Sequence, residues 1–418
     1  MKNFLDLKSA DLKNKTVLVR LDINAPLDPT TGEFLDERRL NGAKPTIDFL
    51  YKKGAKVVIL AHQGRPGDEY EFTTTEKHAK KLSKILEKDV KYVDDIFGSN
   101  AKKAIKNMKS GEIILLENVR FYSEELLNRP ADAQTKSHMV RNLAPLVDYY
   151  VNDAFAAAHR SQPSLVGFTT VLPSFPGMNM EEELTVLEKF THTSKKKCIF
   201  VLGGTKVGDS LKVIDQALST KSADEILTSG VVAILFLAAK GYDLGEPTEV
   251  FLKGNDLEKH IPYAKKLIDK YDQKIHIPID VALNKHGERM EVSLRFLPMP
   301  YRIVDIGSGT IGRYSYLINT SDKILANGPA GYFEVEPFAL GTNSILEAIS
   351  KSKGFTVVGG GHLAVAAEHL KLTDKINHIS TAGGACILYL AGDTLSVLEA
   401  LKASADKFKK KVKGGKKK

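Results

Sequence analysis

The chain alternates short, strongly apolar runs with longer segments in which apolar residues recur every three to four positions. The first series of runs is KTVLVRLDI (15–23), AKVVIL (55–60), EIILL (112–116) and VDYYV (147–151). The second is KCIFVL (197–202), DEILTS (224–229), HIPIDVAL (276–283), RIVDIG (302–307), KILAN (323–327), FTVV (355–358) and INHIS (376–380). Short runs rich in β-branched residues predict strands. Between them, TTEKHAKKLSKILEK (74–88) and TNSILEAISKS (342–352) carry the helical period. Strands that are apolar on both faces and alternate with helices predict parallel sheets covered by helices on both sides, an α/β fold.

The rhythm breaks at LPSFPGMNMEEELTVLEKF (172–190), where a Pro/Gly stretch precedes a helix with acids in its first turn. That pattern reads as a linker and a hinge helix. A chain of 418 residues also exceeds one ordinary core. The expected organisation is an N-terminal domain over 1–172, a linker and hinge helix over 173–190, a second domain over 191–395, and a C-terminal helix with a lysine-rich tail over 396–418.

Composition changes this picture little, since 43% apolar and 27% charged residues are ordinary for a globular protein. The net charge of +9 is a local matter: KFKKKVKGGKKK (407–418) carries eight lysines and no acid, so +9 less 8 leaves +1 for the body. Such a run is expected to be solvated, and with Phe408 its single aromatic no nucleic-acid role is expected of it. Two cysteines, Cys198 and Cys386, imply no disulfide framework and suit a reducing cytoplasm. The start carries Asp6 and Asp11 and no apolar core, so no signal peptide is expected. The longest apolar run, Val231 to Ala239, is nine residues. A membrane span needs about 20, so no membrane association is expected.

In open α/β sheets, ligands sit beyond the carboxyl ends of the strands. In the first half those ends are basic. Strand 15–21 delivers Asp22 and Asn24, with Arg38 and Arg39 following. Strand 55–60 ends in His62-Gln63-Gly64-Arg65, strand 112–116 leads to Arg120, and strand 147–151 leads to His159 and Arg160. One loop arginine reads as an ion-pair partner. Four strand ends with Arg or His suit a small carboxylate or phosphate, with surface or interdomain ion pairs as the alternative on spacing alone. In the second half the ends are glycine-rich: Gly203-Gly204-Thr205-Lys206, Asn327-Gly328-Pro329-Ala330-Gly331 with Glu334, Gly359-Gly360-Gly361-His362, and Thr381-Ala382-Gly383-Gly384. Glycine lets backbone N–H groups approach phosphate, and helix N-termini favour anions. Lys206 is placed like a phosphate lysine, and Glu334 is placed to hold ribose hydroxyls. No G-x-x-x-x-G-K-[ST] occurs, so a standard P-loop is excluded. Gly359, Gly361 and Ala364 fit a dinucleotide fingerprint, but the next strand, INHIS, does not end in the acid that such a fold requires.

These residues resemble one known family. VLVRLDINAPL, AHQGRPG, LLENVRFY and VNDAFAAAHRSQPSLVGF in the first half, and LGGTKV, ANGPAGYFE, VVGGGHLA and HISTAGGA in the second, are similar to phosphoglycerate kinase motifs, in family order over nearly the whole chain. The AHQ and AAAHRSQPSL wording looks archaeal. The resemblance implies two Rossmann-like domains joined by a hinge helix. It implies the reaction 1,3-bisphosphoglycerate + ADP ⇌ 3-phosphoglycerate + ATP with Mg²⁺, a kinase step of glycolysis and gluconeogenesis. Its substrate residues would be Asp22, Asn24, Arg39, His62, Gln63, Gly64, Arg65, Arg120, His159 and Arg160. Arg39, six residues before Pro45, matches the family's catalytic arginine better than Arg38. Its nucleotide residues would be Gly203, Thr205, Lys206, Asn327, Gly328, Glu334, Gly359, Gly360, Gly361 and His362. Glu183 and His378 fall where the family links the hinge helix to the second domain.

Direct transfer of an acyl phosphoryl group needs no protein nucleophile, only alignment and neutralised charge. The implied catalytic groups are Arg39, Lys206, and the backbone at Gly360 and Gly383, brought together by domain closure that also excludes water. The chain departs from the usual family pattern at three places: His362 replaces an Asp, Asp209-Ser210 precede Lys212 where a second lysine usually follows, and Thr381 to Cys386 differ from a serine–glycine motif. Imidazole is a poor ligand for hard Mg²⁺. His362 is therefore expected to meet phosphate, and Mg²⁺ to be held by nucleotide and solvent with Asp209 the candidate side chain. The competing class is a binding protein on the same fold.

Overall fold

The structure, a computed structural model, describes residues 3–192, 196–380 and 382–414. Thr381 and the last lysines of the tail, 416–418, lie outside the described residues. The chain packs as two compact units, Met1–Thr185 with Thr394–Lys418, and Val186–Asp393.

In the first unit six parallel strands form one sheet: β1 (Thr16–Leu21), β2 (Lys56–Leu60), β3 (Val90–Val93), β4 (Ile113–Leu116), β5 (Tyr149–Asp153) and β6 (Ser174–Pro176), in the order β3-β4-β2-β1-β5-β6. Every residue of β1 is buried, as a strand covered on both faces must be. One face packs on the helices Arg38–Lys52 and Glu76–Leu86 through Leu40, Ile47, Leu50 and Leu82. The other packs on Ser99–Asn107 and His138–Leu143 through Ile105, Met139 and Val140. The C-terminal helix Ser396–Gly414 returns to this unit: Val397 N–H donates to Ala158 O at 3.0 Å, Ser404 Oγ accepts from Ser174 N–H at 3.1 Å, and Ala405 is buried in its core.

In the second unit β7 (Cys198–Leu202), β8 (Glu225–Thr228), β9 (Ile275–His276), β13 (Lys323–Asn327), β14 (Phe355–Gly359) and β15 (His378–Ser380) form a second parallel sheet, ordered β15-β14-β13-β7-β8-β9. The remaining strands, β10 (Asp280–Lys285), β11 (Glu288–Ser293) and β12 (Ile303–Ile306), make a small antiparallel sheet of order β11-β10-β12. Two expectations change here. HIPIDVAL is divided between β9 and β10, and RIVDIG supplies β12 of the small sheet and not a parallel strand. The β10–β11 hairpin turns through His286 and Gly287, both at positive φ, the requirement of a tight two-residue turn.

The apolar run Val231 to Ala239 lies in a buried helix, Gly230–Ala239. Among the described residues no helix is long and apolar enough to cross a membrane. The helix expected as a hinge, Met178–His192, spans the boundary between the two units. Its N-terminus is held by buried side chains: Asp153 Oδ1 accepts from Met180 N–H and Thr46 Oγ1 accepts from Met178 N–H, both at 2.8 Å.

Candidate active site

Strand register builds the first site. Arg20 of β1 lies opposite Leu60 of β2 and Asn152 of β5, and Ile59 lies opposite Leu115 of β4. The loops after these four strands therefore leave the sheet along one edge, side by side.

Arg20 itself was not foreseen from the sequence. It is 1% exposed, and its Nε donates to Ser164 Oγ at 2.8 Å. Nη1 donates to Leu21 O, and Nη2 meets His62 Nδ1 at 3.0 Å. Ser164 donates its hydroxyl to Glu125 Oε1 at 2.5 Å and its N–H to Oε2 at 2.9 Å. Glu125 is fully buried; burial pushes its carboxyl up, while Arg20 and Ser164 pull it down. The result is a continuous chain, Glu125–Ser164–Arg20–His62, running from the core to the basic loop. Each buried polar group in it has a partner, which is what makes such a network affordable.

Burial, then the charges of Arg20, Arg120, Arg160 and Arg39, hold the His62 imidazole well below its usual range. His62 is therefore neutral at pH 7. Arg39 lies in the first turn of the helix Arg38–Lys52 and reaches Asp22 Oδ1 with Nη1 at 2.9 Å. Arg38 turns to Asp36, with Nε 3.0 Å from each carboxylate oxygen. Arg120 donates to Gly64 O, and burial followed by Arg160 and Arg20 lowers its pKa to about 10, so it stays charged. Arg160 is lowered by burial and supported by Asp22. His159 and Arg65 are exposed; His159 Nε2 accepts from Arg160 Nε at 3.3 Å, and Arg65 N–H donates to Asp68 at 2.6 Å.

Two candidates serve as braces. Asn24 Oδ1 accepts from Gly64 N–H at 2.8 Å, which fixes the loop after β2. Gln63 is 0% exposed: its amide donates to Ala25 O at 2.9 Å, accepts from Ala25 N–H at 3.1 Å, and lies 3.0 Å from His78 Nε2. These are the partners of the Gln63 side chain beside the basic cluster. Its amide is consumed in clamping two loops together. Gly64 sits at φ +66°, where an added Cβ would lie 2.4 Å from Glu71 O, so only glycine fits.

The second site lies at the ends of β7, β13, β14 and β15. Asn327 pairs with Leu202 on one side and Gly359 on the other, and Gly359 pairs with Ser380. Gly203 N–H donates to Asn327 O and Gly204 N–H to Pro329 O, both at 2.9 Å. These two N–H groups pack one loop on another. Gly204, and not Gly203, lines the cavity that opens here, together with Thr205, Glu334 and His362. Lys206 is exposed at the N-cap of helix Val207–Ser219.

Gly360 (φ +91°) caps helix Gly361–His369 and Gly383 (φ +41°) caps helix Gly384–Leu390. A Cβ on Gly383 would lie 3.4 Å from the Gly360 Cα, so two helix N-termini converge. Such termini carry unpaired N–H groups and partial positive charge. His362 stands exposed in the first turn of the first of these helices, its ring 5.6 Å from that of Phe333.

Among the described residues no group of three or more His, Cys, Asp or Glu side chains is arranged to hold a metal ion. Asp209 is exposed in the first turn of helix Val207–Ser219. Glu183 is buried on helix Met178–His192, and His378 is half-buried in β15.

The chain is similar along nearly its whole length to known proteins. The family profile described as phosphoglycerate kinase matches residues 7–393. The phosphoglycerate kinase of Methanothermus fervidus is 49% identical over 411 residues, covering 98% of this chain and 100% of that protein. That of Pyrococcus horikoshii is 44% identical over 411 residues, covering 97% and 99%. The crystal structure of phosphoglycerate kinase from Pyrococcus horikoshii OT3 superposes with a TM-score of 0.90 at 42% identity, over 97% of this chain and 100% of that one. The Coxiella burnetii phosphoglycerate kinase structure gives 0.78 at 29% identity, over 96% and 100%. With nearly the whole chain matched in sequence and in fold, this protein belongs to the phosphoglycerate kinase family.

Proposed function

We infer that the two sites divide one reaction, the reversible transfer of the acyl phosphoryl group of 1,3-bisphosphoglycerate to ADP, which yields 3-phosphoglycerate and ATP. In this reading 3-phosphoglycerate binds the basic cluster of the first unit and the nucleotide binds the glycine loops of the second. The observation that carries it is the concentration of Arg20, Arg39, Arg120 and Arg160 around a neutral His62, with Asp22 and Glu125 the nearby acids. A cluster with that excess of positive charge favours a small polyanion, and planar guanidinium forks match carboxylate and phosphate oxygens.

The chemistry then follows from charge and position. Arg39, held by Asp22, is the arginine directed to the transferring group, while Arg65, Arg120, His159 and Arg160 grip the acid's anionic ends. The N-termini at Gly360 and Gly383, with Lys206, neutralise the phosphates from the nucleotide side. Mg²⁺ enters as part of the nucleotide substrate. Transfer requires both substrates to meet in a water-poor site, because water would hydrolyse the acyl phosphate. Closure of the two units about the helix Met178–His192 is the motion we assign to that step. Cys198 and Cys386 are buried and not joined by a disulfide, which suits the cytoplasm.

The test is a coupled assay of the full chain with 3-phosphoglycerate, ATP and Mg²⁺. ADP release that depends on 3-phosphoglycerate is expected. Turnover that is absent, or indifferent to the acid, overturns the assignment.

A further inference from the structure

Asp305 of β12 is buried in the wall of the second unit's cavity. Its Oδ2 accepts from Arg289 Nη1 and from Gly341 N–H, both at 2.7 Å. Burial pushes the carboxyl up, against the pull of these two donors. Oδ1 is buried and has no hydrogen-bond partner among the described residues. A buried acceptor left unpaired is unfavourable, so its retention calls for a reason.

Two glycines close over Oδ1. An added Cβ on Gly331 or on Gly341 would overlap this oxygen. Neither glycine is at positive φ, so crowding around the carboxylate, and not backbone conformation, excludes a side chain there. Gly331 belongs to the loop 328–334, which brings Ala330, Tyr332 and Glu334 to the cavity wall. Gly341 lies in the first turn of helix Leu340–Lys351, where N–H groups lack partners within the helix. The same loop is tied to both neighbours: Ala330 N–H donates to Thr342 Oγ1 at 3.0 Å, and Tyr332 N–H to Val304 O at 2.8 Å. Asp305 therefore sits where the loop, the helix and β12 meet.

Arg289 reaches Asp305 from β11, the outer strand of the small sheet, and among the described residues none in β11 lines the cavity. Its Nη2 donates to Ile306 O at 2.6 Å and its Nε to Glu291 Oε1 at 2.9 Å, while Glu291 Oε2 accepts from Ser308 N–H at 2.9 Å. A planar fork held at three points has a fixed direction. We propose that Asp305 and Arg289 are positioning residues for the nucleotide: they set the seat of the loop 328–334, and with it the place of Glu334 in the cavity. The inference rests on the reading of this cavity as the nucleotide site. It gives the β10–β11 hairpin a part in the reaction, since a residue outside the cavity fixes one inside it, as the supporting groups of a precise site do.

The experiment measures the KM for ATP and for 3-phosphoglycerate, at saturating Mg²⁺, in the full-length enzyme, in Arg289→Met and in Arg289→Lys. Titration with a fluorescent ADP analogue reads binding independently of turnover. Arg289→Met leaves the buried carboxylate without its counter-charge. The KM for ATP and the Kd of the analogue should rise about tenfold, with the KM for 3-phosphoglycerate within about twofold of the unaltered enzyme. Arg289→Lys keeps the charge beside Asp305 but not the fork, and should restore nucleotide affinity to within about threefold. Gly331→Ala displaces the loop from its other side and should raise the same two constants, less than additively when combined with Arg289→Met. Should Arg289→Met not fold, Asp305→Asn, which keeps the shape of the carboxyl, decides the matter by the same readings. Nucleotide constants that do not move, or KM values that rise together for both substrates, overturn the proposal and leave the pair a role in the fold alone. Absence of turnover dependent on 3-phosphoglycerate in the unaltered enzyme would instead overturn the broader assignment.

Discussion

Arg20 Nη2 lies 3.0 Å from His62 Nδ1, and this contact fixes what His62 can offer a ligand. Arginine cannot accept a hydrogen bond, so Nδ1 must be the acceptor and the ring proton must sit on Nε2. His62 is then a neutral N–H donor, consistent with its depressed pKa. Nitrogen-15 NMR should show the Nε2–H form from pH 8 down to about 5.5, across the range where a free imidazole titrates. The support extends through Ser164 to Glu125. Ser164→Ala removes an acceptor from Arg20 and a donor from Glu125, both buried, and should cost about 1–3 kcal/mol in denaturant unfolding. It should also raise the KM for 3-phosphoglycerate more than that for nucleotide. A KM for the acid that does not move would show that the chain supports the fold and not the site.

Arg38 and Arg39 are neighbours with different partners, Asp36 for the first and Asp22 for the second. Asp22 belongs to the strand-end cluster, so Arg39 is the one expected to act on the transferring group. Arg39→Ala should lower kcat at least about 10²-fold and leave nucleotide affinity nearly intact, as loss of an interaction made in the transition state does. Arg38→Ala should lower it much less. Near-normal turnover in the Arg39 variant, in a steady-state assay with both substrates saturating, would remove it from the mechanism.

The parallel sheets were legible in the sequence because strands buried on both faces read as unbroken apolar runs, as VLVRL and KILAN do. The edge strand β3, VKYV, was not foreseen, since past Val90 its residues are partly or fully exposed. ERMEVS, in which no residue is fully buried, gave no apolar run at all. Of the candidate residues, Arg39, His62, Arg120 and Arg160 come together, since strand ends in a parallel sheet share one edge. Gln63 is a substrate candidate in the sequence only through the AHQGRPG motif. Which way a side chain faces depends on Ala25 and His78, contributed by distant segments. Arg20 was passed over inside an apolar strand. A charge in a fully buried run is itself the signal, for it needs partners such as Ser164 and His62.

Asp153 joins three elements. Its Oδ2 accepts from Thr46 Oγ1 at 2.6 Å on the helix that carries Arg39, and its Oδ1 accepts from Met180 N–H at the start of Met178–His192. Burial pushes its pKa up to about 6, against the pull of Thr46 and the helix N–H groups. A carboxyl whose folded pKa is raised favours the folded state below its unfolded pKa, about 3.9, and loses that contribution as pH rises through about 6. The unaltered protein should therefore lose stability relative to Asp153→Asn between pH 4 and 6, by up to about 1.4 kcal/mol per pH unit. Urea unfolding of both proteins across that range checks it. A constant difference between them would mean that Asp153 titrates normally.

Gly360 and Gly361 separate backbone strain from ligand access. At Gly360 the φ of +91° and a Cβ position 2.9 Å from Asn327 Oδ1 make any side chain costly to the fold itself. At Gly361 φ lies outside the left-handed region, and a Cβ would meet nothing within 4 Å. Gly361→Ala should accordingly fold with an unchanged or slightly higher Tm, since alanine favours helix. Its methyl group would stand in the open space before a helix N-terminus, where the phosphates are proposed to lie. The KM for ATP should then rise several-fold, with the KM for 3-phosphoglycerate unaffected. Gly360→Ala should lose both Tm and nucleotide affinity. If Gly361→Ala keeps its nucleotide KM, the phosphates do not approach this terminus, and the convergence of Gly360 and Gly383 serves packing alone.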